Sequence, residues 1–81
     1  MNQDEDFFTT YDLNISAVLV ALEHKLDHIE RKQNGRALFC FEASPSIRKI
    51  VQSYWDQEIK LNPQKLFDSL KFLKNRIYSN L

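Results

Sequence analysis

Residues 26–45 read LDHIERKQNGRALFCFEASP, and they decide the fold. Two strand-like runs, Leu26 to Lys32 and Arg36 to Ala43, flank Gln33-Asn34-Gly35. Short runs rich in β-branched and aromatic residues, parted by Asn-Gly, read as a hairpin. Loop length then selects which side chains share a face, because a slip of one residue moves each of them to the opposite side. A two-residue Asn-Gly loop pairs Ile29 with Cys40 and splits the apolar groups between both faces. A three-residue loop, with Gly35 in the left-handed conformation, pairs Ile29 with Phe39. That register gathers Ile29, Ala37, Phe39 and Phe41 on one face and leaves His28, Glu30, Leu38 and Cys40 on the other. Burial selects the three-residue loop, since it collects the large apolar groups.

Beyond the hairpin, Ser44-Pro45 and Asn62-Pro63 each place a capping side chain before a proline at the first helical position. The cap oxygen accepts a free N–H, and proline has no N–H to leave unpaired. These signals predict a helix from Pro45 to about Gln57, with Ile47, Ile50, Val51, Tyr54 and Trp55 at helical spacing. After a short extended bridge, Glu58 to Leu61, they predict another from Pro63 to about Asn80, with Leu66, Phe67, Leu70, Leu73 and Ile77 on one stripe. Before the hairpin, Phe7-Phe8-Thr9-Thr10 reads as a brief strand. Thr10 or Asp12 then caps a helix running to about His24. Its middle, around Ala17, Val18, Leu19, Val20 and Ala21, is apolar nearly all round, so it is buried on several sides or sits at a dimer interface. The expected fold is α+β, a small β-α-β-β-α-α domain whose two- to three-stranded sheet is covered by helices. Residues 1–6 are expected to form a disordered acidic N-terminus, and residues 7–81 a single domain.

Eighty-one residues leave little room for a core, yet the chain holds six Phe, three Tyr and one Trp. So short a chain buries only about 60–65% of its unfolded surface. Some rings are therefore expected at the surface, where they make a partner site. The one cysteine, Cys40, can form no intrachain disulfide, which fits a reducing, cytoplasmic setting. No apolar run approaches the roughly 20 residues that span a bilayer. Net charge is zero, but it is unevenly spread. Asp4, Glu5, Asp6 and Asp12 give residues 1–12 a charge of −4. Lys60, Lys65, Lys71, Lys74 and Arg76 against Asp68 give residues 59–81 a charge of 5 − 1 = +4.

Several phrases together carry a resemblance. They are Phe7-Phe8-Thr9-Thr10-Tyr11-Asp12-Leu13, Ile29-Glu30-Arg31, Phe39-Cys40-Phe41-Glu42, Ser53-Tyr54-Trp55 and Leu73-Lys74-Asn75-Arg76-Ile77-Tyr78. Their combination resembles a family of small bacterial and phage-associated domains of unknown function. That family opens on Phe/Tyr-x-Thr-Thr/Ser-Asp-Leu before an alanine-rich helix. Tyr11 is an insertion relative to that opening, and Val and Leu stand where more alanines would be usual. The resemblance implies a bacterial, phage or mobile-element source and supplies no activity or catalytic residue. It does admit a phage-type inhibitor or a nucleotide-sequestering protein as a functional class.

Catalytic and metal chemistry find little purchase in the sequence. His24 and His28 are four apart, but one ends a helix and the other lies in a strand, so they share no helical face. With Cys40 they are the only soft ligands, and no Cys-x-x-Cys or His-Glu-x-x-His phrase is present. Cys40 reads as a buried structural thiol. Asp27, Glu30 and Glu42 alternate with Lys and Arg, as cross-strand charge pairs do. One glycine cannot make a phosphate-binding loop. The expectation is a non-enzyme with no catalytic residue, no metal and no cofactor.

Binding is the expected function. Protein contact or self-association rests on Leu13, Ala17, Val20, Ala21, Trp55 and Phe72 as interface candidates. Nucleic-acid binding is the alternative, resting on Lys65, Lys71, Phe72, Lys74 and Arg76. Helical projection places Lys65, Phe72 and Arg76 near one another, away from the apolar stripe. A ring beside a guanidinium can stack on a base.

Overall fold

The computed structural model describes residues 6–79, which follow the expected order of elements. They are β1 (Phe7–Thr10), α1 (Leu13–Ala21), β2 (Leu26–Arg31), β3 (Ala37–Glu42), α2 (Pro45–Trp55) and α3 (Pro63–Ser79). The acidic segment expected to be disordered lies, up to residue 5, outside the described residues. Asp6 is tied down, its carbonyl accepting the Ala43 N–H at 3.0 Å.

Hairpin register follows the three-residue loop. Lys32 and Arg36 close it through Lys32 N–H to the Arg36 carbonyl at 3.0 Å, and Gly35 N–H returns to the Lys32 carbonyl at 2.9 Å. Gly35 has φ +81°, the left-handed value that a side chain resists. Ile29 then pairs with Phe39, Glu30 with Leu38 and His28 with Cys40. A bulge between Leu26 and His28 absorbs Asp27. On the far side β1 runs antiparallel to β3, with Phe8 opposite Phe41 and Thr9 opposite Cys40. β3 is thus the middle strand of a three-stranded sheet ordered β1-β3-β2.

All three helices pack on one face of this sheet. The molecule measures 34 × 34 × 19 Å, and the short dimension fits one sheet plus one helix layer. Ile15, Ala17 and Leu19 of α1, Phe39 and Phe41 of β3, Ile47 of α2 and Leu73 of α3 form the buried core. Phe8, Ile29, Ala37, Leu66, Leu70 and Ile77 close around it. Each fully buried Phe or Leu in such a cluster contributes roughly 1.5–3 kcal/mol.

The apolar α1 resolves as a helix enclosed within one subunit. Its contact with α3 uses small residues: Ala21 and Ser69 line the same shallow depression, and Ser16 and Ser69 are both buried. Their hydroxyls bond back to their own helices, Ser16 Oγ to the Asp12 carbonyl at 2.9 Å and Ser69 Oγ to the Lys65 carbonyl at 2.8 Å. The expected interface residues Ala17 and Ala21 are therefore corrected to interior residues, packed away within the chain. Leu13 and Val20 also lean on the core and are half-buried.

Capping follows the sequence. Asp12 Oδ1 accepts from Asn14 and Ile15 N–H at 2.8 and 3.0 Å. Ser44 Oγ accepts from Ile47 N–H at 3.2 Å, and Asn62 Oδ1 from Gln64 N–H at 2.8 Å. The ends differ from expectation. α1 stops at Ala21, three residues before His24, in a turn where Glu23 N–H bonds the Val20 carbonyl and His24 N–H the Leu19 carbonyl. α2 closes the same way around Gln57. Both turns need a left-handed residue, usually glycine, yet hold Glu23 at φ 71° and Gln57 at φ 61°. Relieving that strain makes a test of the assignment. Glu23→Gly and Gln57→Gly should each raise unfolding free energy by about 0.5–1 kcal/mol, the left-handed penalty of ~1–2 kcal/mol less the unfolded-chain entropy that glycine adds, read as a higher urea midpoint at unchanged slope.

Candidate functional site

With the helices on one side, the other face of the sheet lies open. Alternation along the strands presents Phe7 and Thr9 from β1, Leu38 and Cys40 from β3, and His28 and Glu30 from β2. These residues, with Asp6 and Lys32, line a recess of about 440 Å³. Its floor is Cys40, 1% exposed although it points to the uncovered side.

A chain of charged groups crosses this face. Asp27 Oδ2 lies 2.6 Å from His28 Nδ1, and Glu30 Oε2 lies 3.1 Å from His28 Nε2. Lys32 Nζ lies 2.8 Å from Glu30 Oε1. The Phe7 and His28 rings meet nearly at right angles, 5.7 Å between centroids. Hydrogen bonds to Asp27 and then Glu30 raise the His28 pKa above its ordinary value. Hydrogen bonding to Lys32, then His28, lowers that of Glu30, and Glu30 in turn raises that of Lys32. Burial, ahead of the nearby Glu30 charge, pushes the Cys40 thiol up. The thiol donates weakly to the Leu38 carbonyl at 3.7 Å. A raised, covered thiol is a poor nucleophile.

His28, Glu30 and Cys40 nevertheless converge. One ligand atom from each lies within 4.8 Å of the other two. The sequence already sets His28 and Cys40 across the hairpin on one face with Glu30, but Glu30 reads there as a charge partner, so the cluster lacks its third ligand and His24 stands as the other candidate. The structure sends His24 elsewhere, its Nε2 3.1 Å from Ser46 Oγ. Cross-strand pairing was the available signal: the same register that pairs Ile29 with Phe39 sets His28 against Cys40.

The remaining expected site residues lie on the helices. Trp55 is 63% exposed at the end of α2, and Phe72 is 42% exposed on α3. Phe67 and Tyr78, not among the expected residues, are 56% and 68% exposed. Both sat in or beside the apolar stripe, where periodicity alone reads a ring as core. Phe72 shares a depression of about 550 Å³ with Val20 and Leu26. The Arg76 guanidinium stands 5.8 Å from the Phe72 ring centroid. Lys65, Lys71 and Lys74 are all exposed. Helical projection keeps Lys65 on the side of Phe72 and Arg76 but puts Lys71 and Lys74 on the other side, flanking Phe67 and Tyr78. The five nucleic-acid candidates thus divide between two sides of α3.

Comparison with known proteins adds the family. A model of a domain of unknown function, DUF5659, matches residues 5–79, and the chain belongs to that family. No curated protein and no solved structure matches it significantly. Among the described residues, no helix is long and apolar enough to cross a membrane.

The covered thiol makes a direct check on the open face. Cys40 should react with an aromatic disulfide reagent far more slowly in the native chain than in denaturant, followed by absorbance of the released thiolate. Equal rates would show a thiol that the fold does not protect.

Proposed function

We propose that this member of the DUF5659 family is a non-enzymatic binding module that works by protein contact, with self-association as its first form. The observation that carries this reading is the exposure of Trp55, Phe67, Phe72 and Tyr78 on α2 and α3. These rings are surplus to the interior. Phe39, Phe41, Leu19 and Leu73 already close the core, and among the described residues no buried side-chain polar atom lacks a partner. Aromatic side chains left at a surface are the residue types enriched in protein interfaces. A formal net charge of zero puts no long-range repulsion between two copies of the chain. A single thiol, buried and unpaired, supports a cytoplasmic setting.

Light scattering across a concentration series tests the reading. Mass should rise from that of one chain toward two, while emission from Trp55, the only tryptophan, shifts to the blue as its ring is covered. Phe72→Ala alone should weaken both changes, and Trp55→Ala combined with Phe72→Ala, read by mass because it removes the fluorophore, should hold the chain monomeric; both rings are exposed, so the melting temperature should stay nearly unaltered. A chain that stays monomeric at every concentration, with unchanging Trp55 emission, overturns self-association.

A second reading, nucleic-acid binding, is favoured by the pairing of Arg76 with Phe72 and by the lysines that interleave with Phe67 and Tyr78. It expects retention on single-stranded nucleic acid that falls steeply with salt. Lys65→Ala with Arg76→Ala should weaken retention if the Phe72 side is the platform. Lys71→Ala with Lys74→Ala should do so if the Phe67–Tyr78 side is. Retention indifferent to salt and to both pairs removes this reading.

A further inference from the structure

The open sheet face carries chemistry that a protein-contact role for the helices leaves unused. We propose that His28, Glu30 and Cys40 form a site for a first-row divalent metal ion of the Zn2+ class, with Asp27 as the positioning residue that orients His28. Three observations converge on this. First, imidazole, carboxylate and thiol atoms from adjacent strands already lie within 4.8 Å of one another. Ligand atoms around a tetrahedral Zn2+ lie about 3.5 Å apart, each about 2.0–2.3 Å from the ion. Side-chain torsions can supply that closure without moving the strands.

Second, Asp27 Oδ2 lies 2.6 Å from His28 Nδ1. A carboxylate there takes the Nδ1–H and leaves Nε2 as the ligand atom, which faces Glu30 at 3.1 Å. This carboxylate–histidine arrangement is the usual outer support of a zinc-bound imidazole. The bulge that displaces Asp27 from the ladder puts it beside the ring. Third, the positions are fixed by the sheet rather than by a loop. His28 and Cys40 are paired across the ladder, and Glu30 follows His28 on the same face.

Mixed nitrogen, oxygen and sulfur donors suit Zn2+ over Mg2+ or Ca2+, which want oxygen alone. Three protein ligands leave a fourth position for water or an added donor, reached through the recess above Cys40. On binding, the ion takes the place of the proton between His28 Nε2 and Glu30, and the Cys40 thiol releases its proton to water as the metal–sulfur bond forms. Lys32 opposes the ion, since its ammonium holds Glu30 Oε1 at 2.8 Å.

Titration of the intact, reduced chain with Co2+ alone tests the site. A thiolate-to-cobalt charge-transfer band should grow to one ion per chain, and an equivalent of Zn2+ should remove it. Zn2+ alone should raise the melting temperature in proportion to the logarithm of its concentration. Cys40→Ser should abolish the band. His28→Gln, Glu30→Gln and the positioning change Asp27→Asn should each weaken binding about tenfold or more, whereas Lys32→Ala should tighten it. Circular dichroism melts of each apo variant separate lost binding from lost folding, with Cys40→Ala as a second thiol-free variant should Cys40→Ser unfold. Absence of the band in the folded wild type overturns the proposal. So does a band that keeps its affinity in both His28→Gln and Glu30→Gln, because the thiol would then be binding cobalt alone.

Discussion

The structure depends on one turn. Gly35, at φ +81°, closes a three-residue loop between β2 and β3, and that loop length fixes the register of the whole sheet. Every residue of the hairpin is thereby assigned to a closed face or an open one. Phe39 and Phe41 go beneath the helices, and His28, Glu30 and Cys40 go to the uncovered side. A slip of one position would press charged groups against α1 and expose two large rings. Burying even one unpaired polar group costs several kcal/mol, so the apolar layer and the loop specify the same answer.

That answer also explains why α1 is apolar all round. A nine-residue helix lying over a small sheet with α3 against it has little solvent to face. Small side chains suit this enclosure: Ser16, Ala17 and Ala21 of α1 are buried, as is Ser69 of α3, which lines one depression with Ala21. Two of the four are polar, yet each hydroxyl is satisfied by the carbonyl four residues earlier in its own helix. The contact therefore closes without a stranded polar group. At the other end of α3, Arg31 of β2 donates to the Ile77 carbonyl at 2.6 Å, which fastens the last helical turn to the sheet edge.

Most of the fold was legible because its punctuation is chemically specific. Asp12, Ser44-Pro45, Asn62-Pro63 and Asn34-Gly35 each meet a demand of helix starts or tight turns that few other residues meet. The stop of α1 was not legible, since Glu23 occupies a left-handed position that glycine ordinarily announces. Nor was the surface around α1. An apolar helix looks the same in sequence whether its second neighbour is α3 or another copy of the chain, so Ala17 and Ala21 read as interface and proved to be interior. Trp55 and Phe72 were legible as surface rings because they break or end the apolar stripe. Phe67 and Tyr78 were not, because they lie at its margin. The cluster on the open face is half legible: the register sets His28 against Cys40, but Glu30 alternates with Lys and Arg along the strand and so looks like a charge partner rather than a ligand.

The two surfaces that remain are physically separate. One is the helix layer, where aromatic rings stand among lysines. The other is the bare sheet, where a thiol, an imidazole and a carboxylate meet in a shallow recess. A single sheet divides them, and alternation along β2 and β3 is the reason, since neighbouring residues on a strand must serve opposite faces. Changes of side chain on one surface therefore leave the other nearly untouched. The exception is Arg31, whose guanidinium reaches from the edge strand to the Ile77 carbonyl and so links the sheet edge to the last turn of α3. On the proposed reading, such a division gives a chain of this size room for a contact surface on one side and a polar site on the other, with the closed core of Leu19, Phe39, Phe41 and Leu73 between them.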